Sequence, residues 1–282
     1  MFERDLLKGR NILITGGGTG LGRSMALRFA ELGANIFLAA RREEPLAQTA
    51  GEIRGKGVKA GYATCDVRDF TAVENAIAAA ENDLGGVDTL VNNAAGNFIA
   101  RTGKLSPNAF NAVVGIVLQG TFHFTLALGR RWIEAKQPAN ILNIVTTYAA
   151  VGSGSGFVVP SACAKAGVLA MTRSLAVEWA PHRIRLNAIA PGPFPTEGAF
   201  SRLMPSKELE ERAKNYHPMK RFGRHEELAN LAAYLLSAQA EYVNGECIVI
   251  DGGLWLRGAG EFNDFLDFPD QAWERLEQAR KR

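Results

Sequence analysis

The sequence predicts an α/β fold, a doubly wound parallel sheet of seven strands in a single domain over residues 1–282. Short runs of β-branched and aliphatic residues alternate with segments long enough for a crossover helix, which indicates repeated βαβ units. No internal repeat or proline-rich linker interrupts this alternation, and a chain of this length can bury one large core. The strand candidates are NILIT, NIFLAA, GVKAGYATC, VDTLVNNA, ANILNIV, RIRLNAIAP and CIVIDGG.

The composition excludes several classes of protein. Hydrophobic residues make up 47% and charged residues 22% of the chain, and the net charge is +3. This balance indicates neither disorder nor a nucleic-acid partner. Cys65, Cys163 and Cys247 are odd in number and widely spaced, so no disulfide framework or zinc site is predicted. The four histidines lack metal-ligand spacing, and no metal is expected.

The N-terminal residues MFERDLLKGR carry charges where a signal peptide is apolar. No apolar run approaches the length of a membrane span. We therefore expect a cytoplasmic protein without a membrane span, and a mature organellar form is the alternative.

A glycine-rich turn joins the first strand to the first helix. In LITGGGTGLGRSMALRFAELGA, Gly16, Gly20 and Gly22 permit a tight turn and a close approach to a pyrophosphate. The start of the helix adds free N–H groups and the positive end of its dipole, which favour an anion. Thr19 and Leu21 belong to the same turn. These five residues are predicted to hold a dinucleotide.

The end of the second strand bears on which dinucleotide is bound. The segment FLAARREEP has no carboxylate at the strand end to bind a ribose 2′-hydroxyl, and Arg41 and Arg42 stand there instead. Because a guanidinium pairs well with a 2′-phosphate, NADP(H) is the expected cofactor. Arginines that merely begin a solvated helix are the alternative interpretation.

Two segments fall outside the alternation of strands and helices. Residues 192–224 follow the sixth strand and are predicted to form a helical flap. Ligands bind beyond the carboxyl ends of the strands in open α/β sheets, so this flap is placed to close over a site. The tail, residues 257–282, is expected to pack on the domain or to contact another copy of the chain.

The glycine spacing G-x-x-x-G-x-G resembles that of the short-chain dehydrogenases/reductases, and the resemblance covers nearly the whole chain. It implies a Rossmann-type fold and a homotetramer. It also implies that Asp66 of CDVRD contacts the adenine. The other residues that it assigns to the cofactor are Val67, Asn93 of NNAAG, Lys165, Pro191, Gly192, Pro193 and Phe194.

The chain departs from the family at the catalytic position. Members usually carry Y-x-x-x-K, in which the lysine binds the nicotinamide ribose and lowers the pKa of the tyrosine. In VVPSACAKAG, Lys165 fills the lysine position, but Ser161 stands at the tyrosine position. Gln119 likewise stands where we expect the upstream asparagine. Cys163 is interpreted as a small buried residue at a helix start rather than as a nucleophile.

Five stretches between residues 92 and 264 resemble the mitochondrial-type 2,4-dienoyl-CoA reductases, a branch of this family: NNAAGNF, SGFVVPSACAKAG, APGPFPTEGAFSRL, EELANLAAYL and GEFND. The resemblance implies that NADPH reduces a 2,4-dienoyl-CoA to a 3-enoyl-CoA in unsaturated fatty-acid oxidation. It further implies that Tyr148 and Asn97 donate hydrogen bonds to the thioester oxygen, with Lys165 and Ser161 beside them.

An acyl-CoA substrate carries phosphates, so arginines near the site are candidate contacts. Two other functions stay open. The first is a ketone or 3-oxoacyl thioester reductase, against which Ser161 counts. The second is a non-catalytic NADP-binding scaffold, against which the retention of Lys165, Tyr148 and Asn97 counts. The residues predicted to bind the substrate are Arg68, Phe98, Ser106 and Arg202.

Overall fold

All seven predicted strands are present in the computed structural model, which describes residues 3–150, 154–196, 206–260 and 262–280. The third strand is shorter than predicted, because Gly57 has a φ of 83° and lies outside the extended backbone. The strands are β1 (Asn11–Thr15), β2 (Asn35–Ala40), β3 (Ala60–Thr64), β4 (Thr89–Asn92), β5 (Ala139–Ile144), β6 (Ile184–Pro191) and β7 (Cys247–Ile250).

The strands form one sheet in the order β3-β2-β1-β4-β5-β6-β7, and every neighbouring pair is parallel. This confirms the doubly wound Rossmann-type fold. The direction of winding reverses between β1 and β4. The crevice at such a reversal is where ligands bind in open α/β sheets, and the glycine-rich turn and the NNAAG stretch both follow these two strands.

Helices cover both faces of the sheet. On β1, Ile12 and Ile14 face one hydrophobic cluster, while Leu13 between them faces the other. This alternation is expected for a strand that is buried on both sides. The helices are α1 (Gly20–Glu31), α2 (Glu43–Arg54), α3 (Phe70–Leu84), α4 (Pro107–Val114), α5 (Gly120–Glu134), α6 (Thr147–Ala150), α7 (Val159–Glu178), α8 (Lys207–Tyr216), α9 (His225–Leu236), α10 (Leu254–Ala259) and α11 (Asp270–Arg280).

A π-helical turn at Gly115–Gln119 joins α4 to α5 in one long helix. This helix, Pro107–Glu134, is long and apolar enough to cross a membrane by length and composition, with a mean hydropathy of 1.6. Phe124 and Trp132 are nevertheless buried against the sheet, and the Trp132 indole N–H donates to the Val87 carbonyl at 2.7 Å. The helix is therefore a core element of the domain, and it does not provide a clear membrane span.

The C-terminal tail packs against the flap helix α8. Arg257 is buried, and its guanidinium donates to the Tyr216 carbonyl at 2.6 Å and lies 4.4 Å from the centre of the Tyr216 ring. Asp267 accepts hydrogen bonds from both Arg257 and Lys220. The carboxylate thus ties the tail to the end of α8, so the first part of the tail packs on the domain.

Candidate active site

The glycine-rich turn forms a tight backbone cradle at the carboxyl end of β1. Gly16 and Gly20 have φ angles of 67° and 54°, in the left-handed region that favours glycine. A Cβ added to Gly22 would lie 2.3 Å from the Gly16 carbonyl oxygen and 2.5 Å from Asn93 Nδ2. Any larger residue at position 22 must therefore push the turn open.

Asn93 holds this turn from the end of β4. Its Nδ2 donates to the carbonyl oxygens of Thr15 at 3.0 Å and Gly16 at 3.2 Å. The Thr15 hydroxyl oxygen accepts from the backbone N–H groups of Asn93 and Ala94, each at 3.0 Å. The side-chain amide nitrogen of Asn93 is therefore used within the protein, and its direct contact with a cofactor stays a prediction.

A cavity of about 590 Å³ opens between the glycine-rich turn and the ends of β2 and β3. Its wall combines a backbone cradle, two exposed arginines and a carboxylate, which fits the phosphates and adenosine of a dinucleotide. Leu21 packs against the core, and Gly20 and Gly22 begin α1. The predicted cofactor residues that line the cavity are Gly16, Thr19, Arg41, Asp66 and Val67, with Arg42 beside them.

Asp66 is paired with Arg68 at the edge of this cavity. The Arg68 Nε and Nη2 atoms donate to the carboxylate at 2.9 Å and 2.5 Å. The Arg68 hydrogen bonds, with a smaller contribution from the charge on Arg41, lower the pKa of Asp66 to about 2. Arg68 thus stands beside the dinucleotide cavity, and its predicted contact with the substrate stays a prediction.

The segment after β6 runs from the sheet toward the glycine-rich turn. The Gly192 N–H donates to the Ile250 carbonyl at 2.9 Å, and the Pro193 carbonyl accepts from the Gly223 N–H at 3.1 Å. Phe194 is buried in the core cluster beneath α1 and α9. The Thr196 methyl group lies over Gly20, and a Cβ added to Gly20 would be 3.3 Å from it. The segment that begins at Pro191 therefore lies against the cradle.

Tyr148, Ser161 and Asn97 meet at one point. Tyr148 belongs to α6, Ser161 to the first turn of α7, and Asn97 follows β4. The Tyr148 hydroxyl lies 3.0 Å from Ser161 Oγ and accepts from Asn97 Nδ2 at 3.4 Å. The side-chain Oδ1 of Asn97 accepts from the Phe98 N–H at 2.9 Å, which orients the side-chain amide. Three predicted catalytic side chains thus come together.

Lys165 lies one helical turn beyond Ser161 on the buried face of α7. Its amine donates a hydrogen bond to the carbonyl oxygen of Ile144, at the end of β5. Burial lowers the pKa of this amine from 10.5 to about 8, because the charged form loses its hydration. The amine is therefore held at the end of β5 without full solvation, one helical turn along α7 from Ser161.

A buried polar network lies behind these residues, and the sequence reasoning missed it. Asn92 Nδ2 donates to Asn143 Oδ1 at 2.9 Å and to Thr125 Oγ1 at 3.1 Å, and Asn143 Nδ2 donates to Thr172 Oγ1 at 2.8 Å. The network joins β4, β5, α5 and α7, and it fixes the helix that carries Lys165 to the strand that carries Ile144. Asparagines within apolar strands were the available signal, since a buried amide needs partners.

The remaining substrate candidates occupy different settings. Ser106 is exposed and caps α4, where its hydroxyl oxygen accepts from the Ala109 N–H at 3.2 Å. Phe98 packs against the cluster that includes Val113 and Ala164. Arg202 lies outside the described residues. Contacts of these side chains with a substrate stay predictions.

One expectation about the helices near the site is wrong. Cys163 is exposed rather than buried, because it lies on the outer face of α7 while Ser161 and Lys165 take the inner face. Gln119 is also exposed, and Val117 of the same π-helical turn packs instead with Val145, Ala164 and Val168. The extra residue in a π-turn shifts which side chain points inward, which helical spacing in the sequence does not reveal.

The comparisons with known proteins identify the family. A family model described as enoyl-(acyl carrier protein) reductase matches residues 16–255. The chain belongs to the short-chain dehydrogenase/reductase family and is an oxidoreductase. The fold of this family implies a nicotinamide cofactor, and the glycine cradle fits one.

Two relatives carry more specific names. A probable 2,4-dienoyl-CoA reductase of Bacillus subtilis, named as (2E)-enoyl-CoA-producing, is 47% identical over 87% of this chain and 96% of its own length. A probable 2,4-dienoyl-CoA reductase of Caenorhabditis elegans, named as (3E)-enoyl-CoA-producing, is 43% identical over 96% of this chain and 89% of its own length. The sequence is thus similar to proteins named for both possible products.

Solved structures share the fold. A short chain dehydrogenase from Bacillus anthracis is 41% identical, with a TM-score of 0.77 over 86% of this chain and 96% of its own. The actinorhodin polyketide ketoreductase, solved with NADPH, is 30% identical, with a TM-score of 0.81 over 90% of this chain and 99% of its own.

The tight approach at Gly22 generates a first prediction. Gly22→Ala forces the Gly16 carbonyl and the Asn93 amide apart, so we expect dinucleotide affinity, measured by fluorescence titration, to fall by roughly tenfold or more. Gly51→Ala is the control, since its Cβ meets nothing within 4 Å. That exposed helix position should gain stability by about 0.5 kcal/mol. Unchanged binding by Gly22→Ala contradicts the cradle.

The buried amine of Lys165 predicts a pH dependence of stability. Its pKa is about 8 in the folded protein, against 10.5 for a fully hydrated lysine side chain. Between these values the unfolded chain holds more protons, so stability rises with pH. We compare the free energy of unfolding of the unaltered protein with that of Lys165→Met. The difference between them should shift by about 2 kcal/mol in favour of the unaltered protein between about pH 7 and about pH 9.5. Urea unfolding of both proteins measures this, and a constant difference contradicts it.

Proposed function

We propose that this oxidoreductase is an NADPH-dependent 2,4-dienoyl-CoA reductase that forms a 3-enoyl-CoA in unsaturated fatty-acid oxidation. The observation that carries the proposal is the position of the Tyr148 hydroxyl, 3.0 Å from Ser161 Oγ and 3.4 Å from Asn97 Nδ2. A phenol thus stands beside the serine that takes the usual tyrosine position. The names of the relatives support the same activity.

The Tyr148 proton is available to a substrate when Ser161 is the donor between the two hydroxyls. A phenol oxygen can accept two hydrogen bonds and donate one. The Asn97 amide donates to this oxygen, and the Ser161 hydroxyl can donate to it as well. The Tyr148 O–H is then free to point at the thioester oxygen of a substrate. A donor aimed at this atom stabilises the negative charge that develops there.

Lys165 supplies a positive charge on the same helix as Ser161. Its amine is held by the Ile144 carbonyl and has lost most of its hydration. Charges act strongly at short range in such a poorly solvated region. Bound NADPH supplies the hydride for the far end of the conjugated diene, and the protein's task is to bind the dienolate that results and to direct its protonation.

The site of protonation decides which product forms. Once C5 has gained a hydride, the negative charge is shared between the thioester oxygen, C2 and C4. A proton added to C2 leaves a double bond between C3 and C4, which is the 3-enoyl product, while a proton added to C4 leaves the 2-enoyl product. The proton comes from water. Donors bound to the thioester oxygen hold the negative charge at that end of the dienolate, next to C2, so we expect protonation at C2 and the 3-enoyl product.

The cofactor assignment rests on the end of β2. Arg41 and Arg42 line the dinucleotide cavity there, and the strand ends without a carboxylate. Arg41 is exposed and stands near Asp66, whose charge is already balanced by Arg68. A guanidinium in this position is available to a 2′-phosphate, which NADPH carries and NADH lacks.

Removing the phenol hydroxyl tests the catalytic role. Tyr148→Phe keeps the ring and should lower kcat by roughly 10²- to 10³-fold on a 2,4-dienoyl-CoA, with little change in KM. Ser161→Ala removes a neighbour of the phenol and should cost about tenfold or less. Steady-state kinetics with NADPH measure both variants. Near-full turnover by Tyr148→Phe, or an inactive Ser161→Ala beside it, contradicts the assignment.

The same assay separates the other functions. We expect oxidation of NADPH with a 2,4-dienoyl-CoA, little with a 3-oxoacyl-CoA, and none without substrate. Preferred turnover of the 3-oxoacyl-CoA indicates a carbonyl reductase, and turnover of neither indicates a non-catalytic NADP-binding protein. Analysis of the double-bond position in the product, by NMR, tests protonation at C2.

Substituting the arginine at the end of β2 tests cofactor choice. Arg41→Ala should raise KM for NADPH by roughly 10- to 100-fold, the value of a charged hydrogen bond, and leave KM for NADH nearly unchanged. Lys56→Ala is a control for loss of an exposed positive charge, since Lys56 pairs with Glu31 on the surface. An unaltered protein that prefers NADH contradicts the assignment.

A further inference from the structure

His225 joins the flap to the helix that begins at the glycine-rich turn. Its Nδ1 lies 2.8 Å from the Ser24 hydroxyl on α1, and its Nε2 lies 2.5 Å from the backbone carbonyl oxygen of Pro195. The Ser24 hydroxyl also lies 3.1 Å from the Gly20 carbonyl. One imidazole ring therefore bridges α9, α1 and the segment that follows β6.

The partners of the ring fix where its protons are. A carbonyl oxygen can only accept, so Nε2 of His225 carries a hydrogen and donates it to Pro195. The other nitrogen, Nδ1, lies 2.8 Å from Ser24 Oγ, whose single hydrogen can go either to Nδ1 or to the Gly20 carbonyl oxygen. Both polar ends of the ring are thus used in bridging, and neither is left for a reacting group.

The ring projects from a rigid base. Leu228 and Ala229 of α9 pack in the core with Met25 and Phe29 of α1. The Arg28 guanidinium on α1 also donates to the Asn230 side chain at 2.8 Å. The start of α9 is fixed in addition by Glu227, which accepts from the Arg224 N–H at 2.8 Å and from Arg221 at 2.7 Å and 2.9 Å. The position of the imidazole is therefore fixed by contacts of α9 that do not involve the flap segment at Pro195.

The flap segment is held at Pro195 by this hydrogen bond. Upstream, Gly192 and Pro193 are held by backbone hydrogen bonds to Ile250 and Gly223. Pro195 itself is exposed and has no N–H to donate. The next residue, Thr196, lies over Gly20 in the cradle. Among the described residues, the hydrogen bond from His225 is thus one contact that holds this part of the flap against the cradle.

We infer that His225 is a positioning residue for the nicotinamide dinucleotide: by holding the Pro195 carbonyl, it sets how closely residues 191–196 cover the glycine-rich turn. It acts through the flap segment and does not touch the reacting atoms. This role concerns the part of the site that NADPH and NADH share, so it stands apart from the preference attributed to Arg41 and from the identity of the acyl substrate.

The test measures dinucleotide binding without an acyl substrate, by fluorescence titration of NADPH and of NADH. His225→Ala should raise the Kd for both by the same factor, about tenfold. His225→Gln places an amide N–H near the position of Nε2 and should stay within about twofold of the unaltered protein. His225→Asn is shorter, reaches towards Ser24 rather than Pro195, and should bind as weakly as the alanine variant.

His182→Ala is the matched control, because His182 is an exposed histidine in a 3₁₀ turn away from the cradle. Melting temperatures of the cofactor-free variants distinguish a positioning role from an effect on folding. His225→Gln and His225→Asn should have similar melting temperatures but different Kd values for the dinucleotide. Normal binding by His225→Ala overturns the inference. A loss of dinucleotide affinity in all three His225 variants that parallels their melting temperatures also overturns it, as does a loss of affinity for NADPH alone. None of these outcomes depends on whether a 2,4-dienoyl-CoA is turned over.

Discussion

The contact between the Tyr148 and Ser161 hydroxyls is the interaction on which the catalytic arrangement depends. A serine alone at position 161 is too weak an acid to serve as the phenol does in other members of the family. At 3.0 Å, each hydroxyl becomes a partner of the other. The phenol thereby lies against the first turn of α7, the helix that carries Lys165, and the serine becomes its hydrogen-bond partner. Tyr148 is therefore the proposed donor of the site, and Ser161 contributes as its neighbour.

This pair holds its geometry because the surrounding elements are fixed by buried polar groups. Lys165 binds the end of β5, and Asn143, on the same strand, binds Thr172 two turns along α7. Unmade hydrogen bonds of buried amides cost free energy, so any slip of α7 along the sheet is penalised. The same logic applies at the other side of the crevice, where Asn93 clamps the glycine-rich turn to β4.

Several parts of the fold and the site could be predicted from local pattern. The seven strands follow from runs of aliphatic residues, and Gly16, Gly20 and Gly22 identify the cradle because their backbone demands are local. The exposure of Gln119 and Cys163 could not be predicted in this way. A π-turn changes the helical phase around Val117, and which face of α7 meets the sheet is decided by packing partners that are distant in sequence.

The sequence by itself determined the class of fold, the dinucleotide cradle and the absence of a tyrosine at position 161, because each is written in neighbouring residues. Tertiary structure alone decided which side chains meet. Tyr148 and Ser161 are 13 residues apart, Asn97 and Tyr148 are 51 apart, and Ser24 and His225 are 201 apart. Contacts over such separations exist because parallel strands bring their carboxyl ends to one edge of the sheet, and the packing of helices on that sheet sets every distance between them.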